Sequence, residues 1–233
     1  MTSSNKLNQI KIISIDLFRT LVDVDQMIKS VWRTFMGEKY DSRLAKQYWD
    51  RATEILMDKF DEAAADLKRF KNCRTIFQET YSRVFQEINL DFDPASAAEV
   101  LIENHKKYHP FSDTREFLDT AGHRLPICLA SDCDIEMISG IDDLFLFDHI
   151  FISEILRSYK LNQAFFKHII GHYQIEPQYI LHIGDSKQDI ICPSQLGMVT
   201  CWINRRNETW TAPVKPDFEV KSLSEILDLL SAA

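Results

Sequence analysis

Short apolar runs recur along the chain at IKIISID (10–16), PICLAS (126–131), HIFIS (149–153), YILHIG (179–184) and VTCWIN (199–204), each bounded by polar or turn residues. Runs of this length and continuity predict strands buried on both faces of a sheet. A shorter strand is expected near Phe218 to Val220. Between the later runs lie stretches with helical spacing: IEMISGI after Asp134, NQAFFKHIIGHY from Asn162 and KQDIICPSQLG from Lys187. Strand alternating with helix predicts an α/β core, a doubly wound parallel sheet with helices on both faces. SLSEILDLLSAA predicts a closing amphipathic helix. Pro193, which lacks an N–H, predicts a kink or a first turn in the helix after Lys187.

The first strand stands apart from the rest. Residues 24–109 separate it from the helix expected at Asp113 to Ala121, and that segment holds a single glycine, Gly37, and a single proline, Pro94. Its apolar residues fall at helical spacing, as in Ile28, Val31, Trp32 and Phe35, and in Ile76, Phe77, Tyr81, Val84, Phe85 and Ile88. The pattern predicts an inserted bundle of about four helices spanning 24–109, with residues 1–23 and 110–233 forming the core. One helix should start near Asp41 or Ser42. The last should start at Asp93-Pro94, an N-cap followed by proline at the first helical position. The aromatics Trp32, Phe35, Trp49 and Phe77 are expected in the core of the bundle.

Composition narrows the function classes. With 45% apolar and 11% aromatic residues the chain can bury a proper core. A formal net charge of −8 argues against nucleic acid or an anionic membrane surface as partner, while leaving room for a local basic pocket and a small anionic ligand. The basic stretch KRFKNCR (68–74) reads as an exposed face. MTSSNKLNQ, at the N-terminus, is polar, and no apolar run approaches the roughly 20 residues that cross a bilayer, so a cytoplasmic protein without a membrane partner is expected. Five cysteines without a CxxC pair suit reduced, buried thiols rather than disulfides or zinc, and His168, His172 and His182 form no ligand triad.

Ligands of an open parallel sheet gather beyond the carboxyl ends of its strands, so the residues at those ends are the candidates. The first strand ends in Asp16, the second in Ser131-Asp132 and the fourth in Gly184-Asp185-Ser186, with Asp189 shortly after; Lys160 follows the third. Carboxylates with a lysine on one edge suit phosphoryl chemistry in which a hard cation such as Mg²⁺ neutralises the ligand. Asp16 is the candidate nucleophile, forming an aspartyl phosphate that water then cleaves. Lys160, Ser131 and Thr20 would hold the transferring group.

DLFRTL (16–21), the strand-end Ser131, Lys160 in SYKLNQAFF and the GDSKQD of 184–189 together resemble the haloacid dehalogenase superfamily of hydrolases, in order, over residues 10 to about 205. The resemblance implies a Rossmann-like core with a helical cap after the first strand that closes over the site. It implies Asp16 as nucleophile and magnesium ligand, the Phe18 carbonyl and Asp185 as further ligands, and Asp189 supporting the metal or Lys160. A monomer or homodimer acting on a small phosphorylated or anionic metabolite follows.

Phe18 departs from that pattern. Phosphatases of the family usually carry a second Asp there, acid to the leaving alcohol, whereas the 2-haloacid dehalogenases carry an aromatic residue. Against dehalogenation stand Asp185, retained where dehalogenases replace it, Asp132 in place of their Asn, and Phe166 in place of their Tyr. A Mg²⁺-dependent phosphatase is therefore the favoured reading, with a weakly active or inactive ligand binder and a 2-haloacid dehalogenase as alternatives. Phe18 then implies a substitute acid from the cap (His105, His109 or a tyrosine), a substrate with a good leaving group, or lost turnover. Phe18, Arg19 and Asp132 are assigned to substrate binding. Arg19 stands where many relatives carry glycine, and a residue of that size predicts a turn without positive φ.

Overall fold

The strands β1 (Ile12–Ile15), β2 (Ile127–Ser131), β3 (His149–Ile152), β4 (Ile180–Gly184), β5 (Val199–Ile203) and β6 (Phe218–Val220) arise from the expected apolar runs. In the computed structural model, which describes residues 6–66, 69–141 and 144–232, they form one sheet in the order β3-β2-β1-β4-β5-β6. Every neighbouring pair is parallel. β1, β2, β4 and β5 are buried along their whole length, as a sheet covered on both faces requires. β3 and β6 lie at the edges, where His149 and Glu219 are exposed, so the expectation of burial on both faces fails for β3. The strand order reverses between β1 and β4, which opens a crevice beyond their carboxyl ends.

Between β1 and β2 run four helices, α1 (Ile28–Met36), α2 (Ser42–Ala65), α3 (Cys73–Ile88) and α4 (Pro94–His105). Their starts follow the capping residues. Asp41 accepts from the Leu44 amide at 2.8 Å, and Asp93 accepts from Ser96 at 2.8 Å with Pro94 in the first turn. Phe35 packs edge-on against Tyr81 and Phe85, each at 5.3 Å between ring centroids, and Trp32 is fully buried beside it. The chain leaves the sheet and returns to it side by side: Asp23 N–H donates to His109 O and Phe111 N–H to Leu21 O.

The sheet is flanked by α5 (Thr114–Gly122), the short α6 (Ser153–Leu156), α7 (Gln163–Tyr173), the short α8 (Ile191–Gln195) and α9 (Leu223–Ser231). Two expected helices are corrected. IEMISGI forms only a single 3-10 turn, Ile135–Ile138, ending before Gly140 at φ 82°. The stretch from Lys187 splits into a 3-10 turn, Lys187–Asp189, and α8, with Pro193 in the first turn of α8 where no donor is required. All five cysteines are free and buried. No helix among the described residues is long and apolar enough to cross a membrane. Within KRFKNCR, Lys68 lies outside the described residues, Lys71 pairs with Glu79 and Arg74 with Glu136.

Asp134, expected to start its own helix, instead reaches the inserted helices. Its two carboxylate oxygens accept from the backbone N–H of Cys73 and of Arg74, each at 2.8 Å, capping α3 from the opposite side of the crevice. Arg74 forks onto Glu136 at 2.8 Å, and the Tyr159 hydroxyl donates to the Lys71 carbonyl. We expect Asp134→Ala to lose about 2 kcal/mol of unfolding free energy in urea, because two amides at a buried helix start lose their acceptor. Asp134→Asn should recover part of that loss. A change below about 0.5 kcal/mol for Asp134→Ala would show that α3 needs no cap from the sheet side.

Candidate active site

Asp16 is the first residue past β1, and its amide donates to the Ile183 carbonyl of β4 at 2.9 Å. The β1–β4 register pairs Ile15 with Ile183, which sets Asp16 beside Gly184 and brings Asp185 one step beyond it. Carboxylate oxygens of Asp16, Asp185 and Asp189 lie within 4.8 Å of one another. Lys160 Nζ sits between two of them, 2.6 Å from Asp16 Oδ1 and 2.6 Å from Asp189 Oδ1. The loop carrying Lys160 is itself pinned, because Asp132 accepts from the Lys160 amide at 3.0 Å.

Asp189 has little freedom left. Its Oδ2 accepts from the Ser186 amide and hydroxyl, closing a capping box on the turn, and its Oδ1 also meets His182 Nε2 at 3.1 Å. The His182 Nδ1 in turn lies 2.9 Å from Ser14 Oγ, so a neutral ring donates to Asp189 and accepts from Ser14. Gly184 makes this approach feasible: a Cβ there would fall 2.1 Å from Asp189 Cγ. Of the two roles implied for Asp189, support of Lys160 is the one its hydrogen bonds display. Asp185 presents the contrast. Its carboxylate makes no hydrogen bond or ion pair with any described residue, and Ser186, not Asp185, caps the following turn.

Burial is the largest influence on the group and works against every charge in it. It pushes Asp16 up to about 6, and Asp185 up to about 7 with the Asp16 charge adding to the effect. Asp132 is raised to about 7, again by burial first. Asp189 and Lys160 overcome their burial through each other: the ammonium holds Asp189 well below the usual carboxylate range, and Asp16 and Asp189 hold Lys160 above the usual lysine value. Burial lowers His182.

These residues floor a cavity of about 150 Å³ whose walls come from the sheet edge and from α2, α3 and α4. Asp16, Phe18, Arg19, Ser131, Asp132, Lys160, Asp185 and Asp189 all border it; Thr20 is buried beside them. The hydroxyls of Ser131 and Thr20 are buried without a hydrogen-bond partner, as donors awaiting a ligand would be. Trp32, Phe35, Trp49 and Phe77 are all buried in the core as expected, and Trp49 and Phe77 also border the cavity. His105 faces the cavity and packs edge-on to Phe18 at 4.8 Å. His109 is exposed and does not border it.

Arg19 corrects the expectation for its turn. Its φ is +66°, in the left-handed region that favours glycine, because the Arg19 amide must turn back to the Val22 carbonyl at 2.7 Å. An arginine therefore stands in a glycine conformation.

The arrangement matches a known group of enzymes. A model of the haloacid dehalogenase-like hydrolases matches residues 10–197. The chain belongs to the haloacid dehalogenase-like hydrolases. It is 25% identical to the (S)-2-haloacid dehalogenase of Pseudomonas sp. (strain YL), over 97% of each chain. Among solved structures it resembles the L-2-haloacid dehalogenase RSc1362, with a TM-score of 0.82 and 17% identity over 95% of this chain and 99% of that one. It is also similar to YfnB from Bacillus subtilis, a putative HAD-hydrolase bound to magnesium, with a TM-score of 0.79 and 17% identity over 95% and 98%.

Within this haloacid dehalogenase-like frame three supports escaped the sequence reading. His182 was considered only as a metal ligand, yet its register opposite Ser14 on the neighbouring strand is the signal for a buried hydrogen-bonded pair. Arg205 donates to the Thr20 carbonyl at 3.0 Å while forking onto Asp113, and no local pattern foretells that reach. Trp202 donates from Nε1 to the Asp185 carbonyl at 2.8 Å, steadying the loop below the free carboxylate.

The electrostatics predict opposite effects of two substitutions in metal-free buffer. Lys160→Met strands Asp16 and Asp189 as buried charges and should cost roughly 3 to 5 kcal/mol. Asp16→Asn should stabilise. The folded carboxyl at about 6 lies above the unfolded value of 3.8, so the wild type loses stability as pH rises through 6 and the variant does not. Urea unfolding in EDTA should show the Asp16→Asn advantage growing between pH 4 and pH 7 by on the order of 3 kcal/mol. Parallel pH profiles would contradict this account of Asp16.

Proposed function

We propose that this haloacid dehalogenase-like hydrolase cleaves small phosphate monoesters and depends on a divalent cation, magnesium. One observation carries the reading: the crowded carboxylates of Asp16, Asp185 and Asp189, with the Asp185 carboxylate making no hydrogen bond or ion pair with any described residue. The donor set is all oxygen and supplies more negative charge than Lys160 offsets, which fits a hard dication. Asp16, Asp185 and the Phe18 carbonyl would hold it, with Asp189 behind them. Bound there, the cation supplies charge neutralisation and polarises a phosphoryl oxygen.

The chain's own residues account for the rest. Asp16 Oδ1 is held by Lys160, which leaves Oδ2 to attack phosphorus; the ester P–O bond breaks and an aspartyl phosphate forms. Ser131 and Thr20 Oγ–H groups and the Lys160 ammonium donate to the phosphoryl oxygens. Water then attacks phosphorus, releasing phosphate and restoring Asp16. The inserted helices exclude bulk water from the attack.

Neither His105 nor Tyr81 of the inserted helices offers the leaving oxygen an acid. Burial lowers His105 to about 4, and its Nδ1 lies 2.8 Å from the Leu101 carbonyl, so Nε2 carries no proton at neutral pH. Burial also raises the Tyr81 phenol well above its ordinary value, making it a poor donor. The leaving group must therefore depart as a stable anion, which favours aryl and acyl phosphates.

With magnesium we expect turnover of p-nitrophenyl and acetyl phosphate, with alkyl phosphates slower by roughly 10²- to 10⁴-fold. EDTA and Asp16→Asn should each abolish it. Turnover that persists in Asp16→Asn, or its absence from the whole panel, would sink the reading. Phe18 and the dehalogenase relative support a second reading, displacement of halide from a 2-haloacid by the same Asp16. Its signature is chloride release from 2-chloropropionate in EDTA.

A further inference from the structure

The second cation of the cavity has no task in the chemistry at Asp16. Lys160 is committed to Asp16 and Asp189, while Arg19 forms no ion pair with any described residue. Its Nε is buried without a hydrogen-bond partner, which costs about 1 to 3 kcal/mol. Its backbone carries a further cost of about 1 to 2 kcal/mol by occupying the left-handed region with a side chain. Both penalties fall on one residue, and that residue borders the cavity on the side of Asp185 and His105, whose charges it influences.

The other half of the cavity has a different chemistry. Trp49, Leu56, Met57, Phe60, Phe77 and Leu101 supply an apolar wall from α2, α3 and α4. Thr53, Thr80 and Tyr81 are the residues with hydroxyls on that side, too few to match the polar groups of a sugar or nucleobase. At about 150 Å³ the space is comparable to an engineered cavity that accepts benzene.

We propose that Arg19 anchors a carboxylate on a substrate whose body is a compact apolar ring or branched chain, seated among the inserted helices. A planar guanidinium matches the fork of a carboxylate, and the apolar wall matches the body. For the reaction at Asp16 this rests on the phosphohydrolase reading; the anchoring itself requires no turnover.

The test uses benzoate and its neutral isostere benzamide, titrated calorimetrically into the full chain with magnesium, and into Arg19→Gly. Wild type should bind benzoate at least about tenfold more tightly than benzamide, and Arg19→Gly should lose the preference. Its Tm should stay level or rise, since glycine adopts φ +66° without strain. A purely structural arginine would instead lower Tm and leave the preference intact. In parallel, 4-carboxyphenyl phosphate should exceed 4-carbamoylphenyl phosphate in kcat/KM in wild type but not in Arg19→Gly. Equal binding of the two probes by wild type, or a preference that survives Arg19→Gly, overturns the proposal. If neither ester is hydrolysed while the benzoate preference holds, the phosphohydrolase reading fails alone.

Discussion

The site depends on one buried cation held between two carboxylates. Lys160 is 3% exposed and reaches Asp16 from the loop after β3 while Asp189 approaches from the turn after β4. A buried ion pair stabilises only where its geometry is close and its remaining lone pairs are satisfied. The surrounding architecture meets that condition. Asp132 fixes the Lys160 backbone, Ser186 and His182 occupy the other positions on Asp189, Ser14 holds His182, and Gly184 leaves the space that Asp189 fills. Five residues from three stretches of the chain thereby become conditions on one ammonium. The network also explains why Asp16 and Asp185 lie above the ordinary carboxylate range while Asp189 lies below it: a single lysine cannot serve all three.

The second constraint is the junction between the sheet and the inserted helices. Asp134, Glu136 and Tyr159 all bond to the start of α3 or to the residues just before it, so that helix is anchored from the sheet side. The backbone pairing of Asp23 with His109 and of Phe111 with Leu21 fixes where the insertion leaves and rejoins the core. Together these contacts decide how far the apolar wall of α2, α3 and α4 stands from Asp16. The size of the cavity is therefore set in part by groups outside its lining.

Much of this was legible in the sequence, and the reasons differ by element. The six strands and the helix starts at Asp41 and Asp93 were readable because apolar runs and capping residues act locally. Asp16, Ser131, Lys160, Asp185 and Asp189 were readable because parallel strands deliver their ends to one edge. What escaped was the partner of each polar side chain. Asp134 precedes the IEMISGI stretch yet caps α3, and Arg205, which carries no local signal, holds the Thr20 carbonyl. Such pairings join residues 60 to 185 positions apart, and no window of sequence contains both members. Arg19 was misread for the opposite reason. Side-chain size was taken as evidence about the backbone, when the amide-to-carbonyl closure onto Val22 dictates φ regardless of what the residue carries.

Phe18 and Arg19 are best understood together. They are adjacent and occupy one turn; Phe18 stands where the family resemblance implies a second Asp in phosphatases, and Arg19 where it implies glycine in many relatives. Phe18 removes a proton donor and adds an aromatic face against His105, which burial keeps neutral. Arg19 introduces a charge into a conformation suited to glycine. On the phosphohydrolase reading, the first change would narrow the chemistry toward leaving groups that need little help from a proton, since neither His105 nor Tyr81 offers one at neutral pH. The second change raises the charge available for recognition without adding to the machinery at Asp16. Both shift the burden from catalysis by the turn to selection by the turn. In the phosphohydrolase proposed above, such a turn would depend on the substrate to bring its own stable leaving group, and on the cavity to admit few others.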